Sequence, residues 1–349
     1  MKIAIMAGGT GGHIFPGIAV ANELIKNNVD IIWLGAIGGM EEKLVKQHDI
    51  PLFLLSIKGL RGKGIKGLLS LPIKLIMATY NARKIFKKEK VNAVLSMGGY
   101  VAGPGGLAAK LTGIPLIVHE QNSRFGMTNK YLSKWAQKTL TGFNLTQINN
   151  TQWVGNPVRA DIEHSTANRH NKHEKTNIFI LGGSLGANSL NTRVLELLNP
   201  LLKSGKISVT HQCGKNNLEK TTQHYQTTND VKVFEFINDM SAIYNWADLV
   251  IARAGALTIA EINAIGIAAI FVPYPYAVDD HQTSNAQNIV NNQAGYIWQE
   301  SQDISVLDGY ISELVESKTL RQQMADNSKK LHKPNAAIKV AKICMELAV

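Results

Sequence analysis

Cysteine is almost missing from this chain. Only Cys213 and Cys344 occur in 349 residues, which leaves no disulfide framework and points to a reducing compartment. Long apolar runs are missing too. The longest uncharged stretch near mid-chain, residues 91–109, carries five glycines and a proline and reads as a buried strand plus a loop, not a membrane span. The opening residues, MKIAIMAGG, are too short for a signal-peptide core and hold no cleavage region. Neither glycine turn that follows an apolar run (residues 8–12 and 182–186) spells G-x-G-x-x-G, no G-x-x-x-x-G-K-[S/T] is present, and no acidic residue ends the second expected strand. A nicotinamide enzyme is therefore disfavoured and a P-loop excluded. No Asp-x-Asp pair is available to hold a metal on a diphosphate, and His164, His170 and His173 lie in a polar stretch without zinc-like spacing.

Acidic residues are scarce in one half only. Residues 1–163 hold 20 Lys/Arg against 9 Asp/Glu, whereas residues 164–349 hold 17 of each, so the whole excess of +11 lies in the first half. Ten basic residues fall between positions 58 and 90, with Glu89 as the one acid there. A local positive field selects an anionic partner: nucleic acid, an acidic substrate or an anionic membrane. A single tyrosine and a single phenylalanine in that segment offer little to stack bases on, which disfavours nucleic acid.

What is present is the composition of a folded chain, 45% hydrophobic and 18% charged. Its length suits two domains of roughly 170 residues each. An apolar run followed by a glycine turn occurs twice, 174 residues apart: KIAIMAGGTGGHIFP and NIFILGGSLGANSLN. Just before the second copy, HSTANRHNKHEK (residues 164–175) reads as an interdomain connection. Strands are expected at 30–34, 93–96, 116–118 and 139–140, and again at 208–211, 231–234, 249–252 and 269–272. Helical stretches include 17–26, 257–264 and 284–291. Alternating β and α with buried strands means parallel sheets covered on both faces, with ligands at the carboxyl ends of the strands. Domains of 1–163 and 164–349 are expected, with the last helix, about 335–349, able to pack back on the first.

Strand, glycine turn and helix is an arrangement that makes room for a phosphate. The second turn also matches G-x-S-x-G, the nucleophile elbow of serine hydrolases, with Asp248 or Asp279 and His281 or His332 following in a permissible order. The first copy has Thr10 in place of the serine. A turn used twice is explained more simply by phosphate contact than by a nucleophile.

Eight blocks follow one another along the chain: GGTGGHIFPGIAVA, MGGYVAGPGGLAA, HEQN, GNPVR, GGSLGA, FINDM, RAGALTIAEI and VPYPYAVDDHQTSNA. Together they resemble the MurG family of peptidoglycan glycosyltransferases, from residue 3 to about residue 300. The resemblance implies an α/β chain of GT-B fold, two Rossmann-like domains facing each other across a cleft. It implies inverting transfer of N-acetylglucosamine from UDP-N-acetylglucosamine to the 4-hydroxyl of undecaprenyl-linked muramyl-pentapeptide, forming lipid II, with no cofactor and no metal. The first domain would take the acceptor and the second the nucleotide sugar. Another UDP-sugar enzyme of the same fold, an epimerase or a glycolipid glucosyltransferase, is the rival enzyme; a non-catalytic nucleotide-binding protein is the rival of another class.

The resemblance also assigns residues. Ser184 and its turn are expected to hold the donor's phosphates at a helix start, where dipole and unpaired N–H groups favour negative charge. Glu261, about one turn into a helix that begins near Ala256, is placed to accept both ribose hydroxyls, with Leu257 and Thr258 beside it. Otherwise it is a helix-dipole glutamate worth about 0.3–1 kcal/mol. Backbone atoms of Ile237 are set against the uracil, Arg159 beside the nucleotide, and His281 and Gln282 on the sugar hydroxyls, or else as surface loop residues. Some family members carry glutamine where His281 stands, so Gln282 is the firmer of the two. From the first half, Thr10, Gly11, Gly12 and Asn122 reach the donor. Acceptor contacts fall on Gly9, Thr10, Gly12, His13, Gly99, Tyr100 and Glu120, the opening turn taking the acceptor's pyrophosphate. His13, at a positive helix terminus, is expected to stay neutral and serve as general base; the alternative is that it caps or orients the turn. Glu120 either lines the site or buttresses the HEQN loop.

Residues 64–90 join the charge run to dense apolar residues. Pro72 suits a helix start; Ile73, Ile76, Met77 and Tyr80 share one face, while Leu69, Leu75 and Phe86 fall elsewhere. Leu69, Ile73, Leu75, Ile76, Lys84, Lys87 and Lys88 are expected to lie on anionic lipid, unless this is a core helix with a solvated basic end. A peripheral location on the cytoplasmic face of the bacterial cell membrane follows.

Overall fold

A computed structural model describes residues 1–57, 71–145, 151–165, 175–227 and 229–349. The chain divides into two compact units, Met1–Arg159 with Lys333–Val349, and Ala160–His332. In the first, β1 (Lys2–Ala7), β2 (Asp30–Ala36), β3 (Leu52–Leu55), β4 (Ala93–Gly98), β5 (Leu116–Glu120), β6 (Lys138–Thr141) and β7 (Thr151–Trp153) form a sheet in the order β3-β2-β1-β4-β5-β6-β7. In the second, β8 (Thr176–Leu181), β9 (Ile207–Gln212), β10 (Val231–Phe234), β11 (Leu249–Ala252), β12 (Ala268–Phe271) and β13 (Tyr296–Ile297) run β10-β9-β8-β11-β12-β13. All strand pairs are parallel. Each unit is a doubly wound Rossmann-like sheet, and in each the strand order reverses beside the strand that precedes the glycine turn. The α/β class read from the alternation of apolar runs is the one adopted.

The helices of the first unit are α1 (Gly11–Lys26), α2 (Glu41–Leu44), α3 (Leu71–Glu89), α4 (Ala102–Thr112) and α5 (Met127–Leu132). Alternate residues of β1 serve two cores. Ile3, Ile5 and Ala7 pack with Ile14 and Ile18 of α1, whereas Ala4 and Met6 pack with Ala78, Ala82 and Phe86 of α3, Ala108 of α4 and Leu132 of α5. The second unit holds α6 (Ala160–Glu163), α7 (Asn188–Asn191), α8 (Arg193–Lys203), α9 (Leu218–His224), α10 (Met240–Trp246), α11 (Ala256–Ile265), α12 (His281–Asn291), α13 (Ile304–Glu316) and α14 (Lys318–Leu331). A final helix, α15 (Ala336–Leu347), belongs to the first unit, where Ala337, Val340, Ala341 and Cys344 share the core of α1.

Three features depart from the sequence reading. The expected loop within residues 91–109 is largely α4: its glycines act by close approach, since a Cβ on Gly106 would lie 2.5 Å from Leu132 and one on Gly105 would strike Met6. Helix α1 starts at Gly11 and α12 at His281, both ahead of expectation, so glycine and polar residues open them. Strands β3, β7 and β13 were not anticipated; each is the outermost strand at an end of its sheet and only partly buried, and while β3 (LFLL) is apolar throughout, β7 (TQW) and β13 (YI) carry no apolar run long enough to signal a strand. Among the described residues no helix is long and apolar enough to cross a membrane.

Candidate active site

In the first unit the candidate residues stand at the carboxyl ends of β1, β4 and β5. After β1, Thr10 takes an extended conformation (φ −135°) and caps α1 through its carbonyl, which accepts from His13 N (3.1 Å) and Ile14 N (3.2 Å). Gly11 and Gly12 thus supply the first amides of a 16-residue helix, where the ladder offers no acceptor and the dipole is positive. His13 lies on that first turn. Its Nδ1 is 3.3 Å from the Gly8 carbonyl and 3.4 Å from Thr10 Oγ1. A carbonyl only accepts, so this contact assigns the proton to Nδ1 and leaves the lone pair on Nε2. The imidazole lies over Gly98 (φ +102°), where a Cβ would come within 3.2 Å of His13 Nε2 and of Asn129 Nδ2.

A carboxylate that the sequence reading missed lies behind the opening turn. Glu41 is wholly buried; its Oε1 accepts from Ala36 N at 2.8 Å and its Oε2 from Gly9 N at 3.3 Å. Gly8, Gly35 and Gly39 each lack the Cβ that would collide with it. Gly9's amide is therefore engaged from inside the fold. Tyr100 packs its ring against Gly9, and burial, with the charge of Glu41, pushes its phenol up. A Cβ on Gly99 (φ +83°) would strike the Gly8 carbonyl, so the turn after β4 is interlocked with the turn after β1.

Glu120, also buried, receives four N–H groups: Asn122 N (3.0 Å) and Asn122 Nδ2 (3.1 Å) on Oε1, Gly126 N (3.1 Å) and Asn129 Nδ2 (3.0 Å) on Oε2. That is the buttressing arrangement. It holds Asn122 in place, and Asn129 links it to the floor beneath His13. Neighbouring His119 donates through Nε2 to the Gly155 carbonyl (2.9 Å) and accepts at Nδ1 from Gln121 (3.1 Å). Burial pushes its imidazole down to about 4, so it is neutral. It fastens HEQN to the GNPVR segment that ends at half-buried Arg159.

The second unit builds its turn differently. Gly182 N donates to the Gln212 carbonyl (3.1 Å) and Gly186 N to that of Gly183 (3.2 Å), and Ser184 is exposed. No helix begins there: α7 starts at Asn188, has four residues, and breaks at Thr192 before α8. This corrects the expectation of a helix start at Ser184, and with it the elbow geometry of a hydrolase, which needs the serine on a sharp strand-to-helix turn. His332, one candidate partner for such a serine, is 3.5 Å from Glu163.

Elsewhere in this unit, Ile237 N donates to Gln212 Oε1 (2.9 Å), so of its backbone polar atoms the carbonyl is the one left to a nucleotide reading. Glu261 stands on the second turn of α11, 7% exposed, and its Oε2 accepts from the Tyr244 hydroxyl at 2.9 Å. Ala256, Leu257 and Thr258 form the first turn of the same helix, after Gly255. His281 and Gln282 are not loop residues but the first two of α12, both half-buried, and Gln282 Oε1 accepts from Tyr274 N at 2.9 Å. Arg253 was given no role by the sequence reading. Its guanidinium binds the carbonyls of Val272 and Pro273 (both 3.1 Å) and Glu300 Oε1 (2.6 Å), clamping the start of the VPYPY loop. Among the described residues no group of three His, Cys, Asp or Glu could hold a metal ion.

On α3, Ile73, Ile76, Met77 and Tyr80 are 60–68% exposed, and Lys84, Lys87 and Lys88 are exposed beyond them. Leu75 corrects the membrane list: it is half-buried and packs into the sheet core. Leu69 lies outside the described residues.

Residues 3–141 match the glycosyltransferase family 28 N-terminal domain and residues 177–340 its C-terminal domain. The chain is 44% identical over 354 residues to the UDP-N-acetylglucosamine--N-acetylmuramyl-(pentapeptide) pyrophosphoryl-undecaprenol N-acetylglucosamine transferase of Alkalilimnicola ehrlichii, covering 100% of this chain and 99% of that one. Among solved structures, Acinetobacter baumannii MurG has a TM-score of 0.82 at 38% identity, with 99% of each chain covered. The UDP-GlcNAc 2-epimerase of Neisseria meningitidis, at 14% identity, a TM-score of 0.68, and 99% of this chain and 100% of that one covered, shares the fold alone. With a relative this similar over its whole length and both domain models matched in order, the chain belongs to glycosyltransferase family 28 and, within it, to the MurG family.

Proposed function

We propose that this protein transfers N-acetylglucosamine from UDP-N-acetylglucosamine to the 4-hydroxyl of undecaprenyl-linked muramyl-pentapeptide, making lipid II for peptidoglycan synthesis. The observation that carries the reading is the identity to a transferase of that name across essentially the entire length of both chains. The reaction is a single inverting displacement. The acceptor oxygen attacks C1 of the sugar, the bond from C1 to the β-phosphate oxygen breaks, UDP leaves with the electron pair, and His13 Nε2 takes the hydroxyl proton. The assigned tautomer supports that role, because the Nδ1 contact keeps the basic nitrogen on the other side of the ring.

The acceptor's pyrophosphate is held by the amides of Gly11 and Gly12 at the positive end of α1, with Thr10, Gly99 and Tyr100 around it. In the second unit the donor's diphosphate rests on the turn of Ser184, whose amides and hydroxyl stabilise the charge that develops on it. Glu261 takes the ribose, the Ile237 carbonyl the uracil, and Gln282 and His281 the sugar hydroxyls.

The exposed face of α3 lies on the anionic cytoplasmic surface of the membrane, where the lipid-linked acceptor resides. Support comes from charge as well as exposure: between Glu89 and Asp161 the only acid is Glu120, which is buried. Leu111 and Tyr131 extend the exposed apolar surface on α4 and α5, and Lys110 lies 3.9 Å over the ring of Trp135.

The test is incubation with UDP-N-acetylglucosamine and a short-chain lipid I analogue, with mass spectrometry of the product. Disaccharide is expected. Donor binding without disaccharide, under varied detergent and metal conditions, overturns the acceptor assignment. For the membrane reading, Ile76→Asp is expected to abolish sedimentation with anionic vesicles; unchanged sedimentation removes α3 as the contact.

A further inference from the structure

We infer that Tyr244 is a positioning residue for the donor: its hydroxyl sets the carboxylate of Glu261 for the ribose before the nucleotide arrives. The inference rests on the reading of Glu261 as the ribose ligand. Tyr244 lies on α10, fully buried, and donates to Glu261 Oε2 at 2.9 Å. Its ring meets Phe179 edge-on, with centroids 5.6 Å apart and planes at 81°. Phe179 is itself fully buried on β8, the central strand that runs into the turn of Ser184. The carboxylate is thus referenced, through one hydrogen bond and one ring contact, to the strand that carries the phosphate turn.

The physical reason for such a tie is the freedom of a glutamate side chain. A carboxylate has about four lone-pair directions and a soft terminal torsion. Fixing one oxygen on a buried hydroxyl selects one orientation of the other lone pairs. The ordering cost is then met during folding and not on binding. A tyrosine that only filled the core would need its ring and not its hydroxyl. Phenylalanine, which keeps the ring and the contact with Phe179, separates the two roles.

The experiment measures steady-state kinetics of wild type, Tyr244→Phe, Glu261→Gln and Glu261→Ala with UDP-N-acetylglucosamine and with its 2′-deoxyribose analogue. Tyr244→Phe is expected to raise the donor KM roughly tenfold, the size of a lost hydrogen bond to a charged group, with kcat and acceptor KM unchanged. With the 2′-deoxy donor the penalty should shrink towards nothing. Glu261→Gln, which keeps an oxygen for the tyrosine, should lose less donor affinity than Glu261→Ala. An unchanged donor KM in Tyr244→Phe, while wild type still prefers the ribose donor, overturns the positioning role. So does an equal loss with both donors, which would mean the hydroxyl merely stabilises the unit. If wild type handles both donors alike, the ribose reading of Glu261 itself falls.

Discussion

The two glycine turns are spelled almost alike and follow equivalent strands, yet they are different devices. After β1 the chain enters a 16-residue helix at once, with His13 on its first turn. After β8 it passes Ser184, runs to Asn188, and makes a helix of four residues only. Their supports differ too. The first is interlocked with Gly99 after β4 and anchored from behind by Glu41; the second is interlocked with Gly214 after β9, whose Cβ would strike Gly186. So the first turn offers a long helix dipole and a titratable group, and the second offers turn amides and a hydroxyl. The proposed reaction uses that difference, with the base in the first unit and the leaving group bound in the second.

The largest expected effect tests that asymmetry directly. His13→Ala should lower kcat by about 10²–10⁴-fold, the usual worth of a general base, while donor binding by calorimetry stays intact. Full activity with an unchanged pH profile would erase the chemical difference between the turns.

The next tests a feature the units share. Each has a buried neutral histidine: His119 is pushed down to about 4, and His211, between Tyr225 and Asn191, to about 3. Both values lie below the ordinary 6.5, so the unfolded chain binds more protons in that interval and stability is lost as pH falls below about 6.5. By about pH 4 the loss is on the order of 3 kcal/mol per histidine. Denaturant titrations at neutral and acid pH should show it, and His119→Gln or His211→Gln should flatten the slope of its own unit. Unchanged slopes would assign acid lability to other groups.

Glu41→Ala leaves the amides of half-buried Gly9 and buried Ala36 without that acceptor and should cost about 2–4 kcal/mol of unfolding free energy, with a raised acceptor KM in the surviving enzyme. A neutral result would mean the opening turn holds itself. The smallest effect is the most discriminating. Gly99→Ala and Gly214→Ala each force a side chain into left-handed backbone against a neighbouring turn, and about tenfold in KM is expected of each. Gly99→Ala should act on the acceptor and Gly214→Ala on the donor; a crossed outcome reverses the assignment of substrates to units.

Much of this fold was legible in the residues. Strands 231–234 and 249–252 match the expected limits: the second is buried and apolar at every position, and the first alternates half-buried Val231 and Val233 with exposed Lys232 and Phe234. The glycine-rich helix α4 was not legible: its glycines and Pro104 look like loop chemistry until Met6 and Leu132 are found pressed against it. Of the candidate site residues, His13, Glu261 and Ser184 could be singled out by motif. Glu41 could not, since nothing in GGMEEK distinguishes a buried glutamate from its half-buried neighbour Glu42.

The sequence by itself determined the class of fold, the repetition of the glycine turn, and the concentration of positive charge in the first half. These depend on local periodicity and composition, which any stretch of chain displays. Only the tertiary structure decided which polar groups remain available to a ligand. Gly9's amide is engaged by Glu41, 32 residues away, Ile237's by Gln212, 25 residues away, and Glu120's two oxygens are filled by four N–H groups. A hydrogen bond between distant positions leaves no imprint on the residues beside either partner, so it becomes visible only when the strands that carry them are laid side by side.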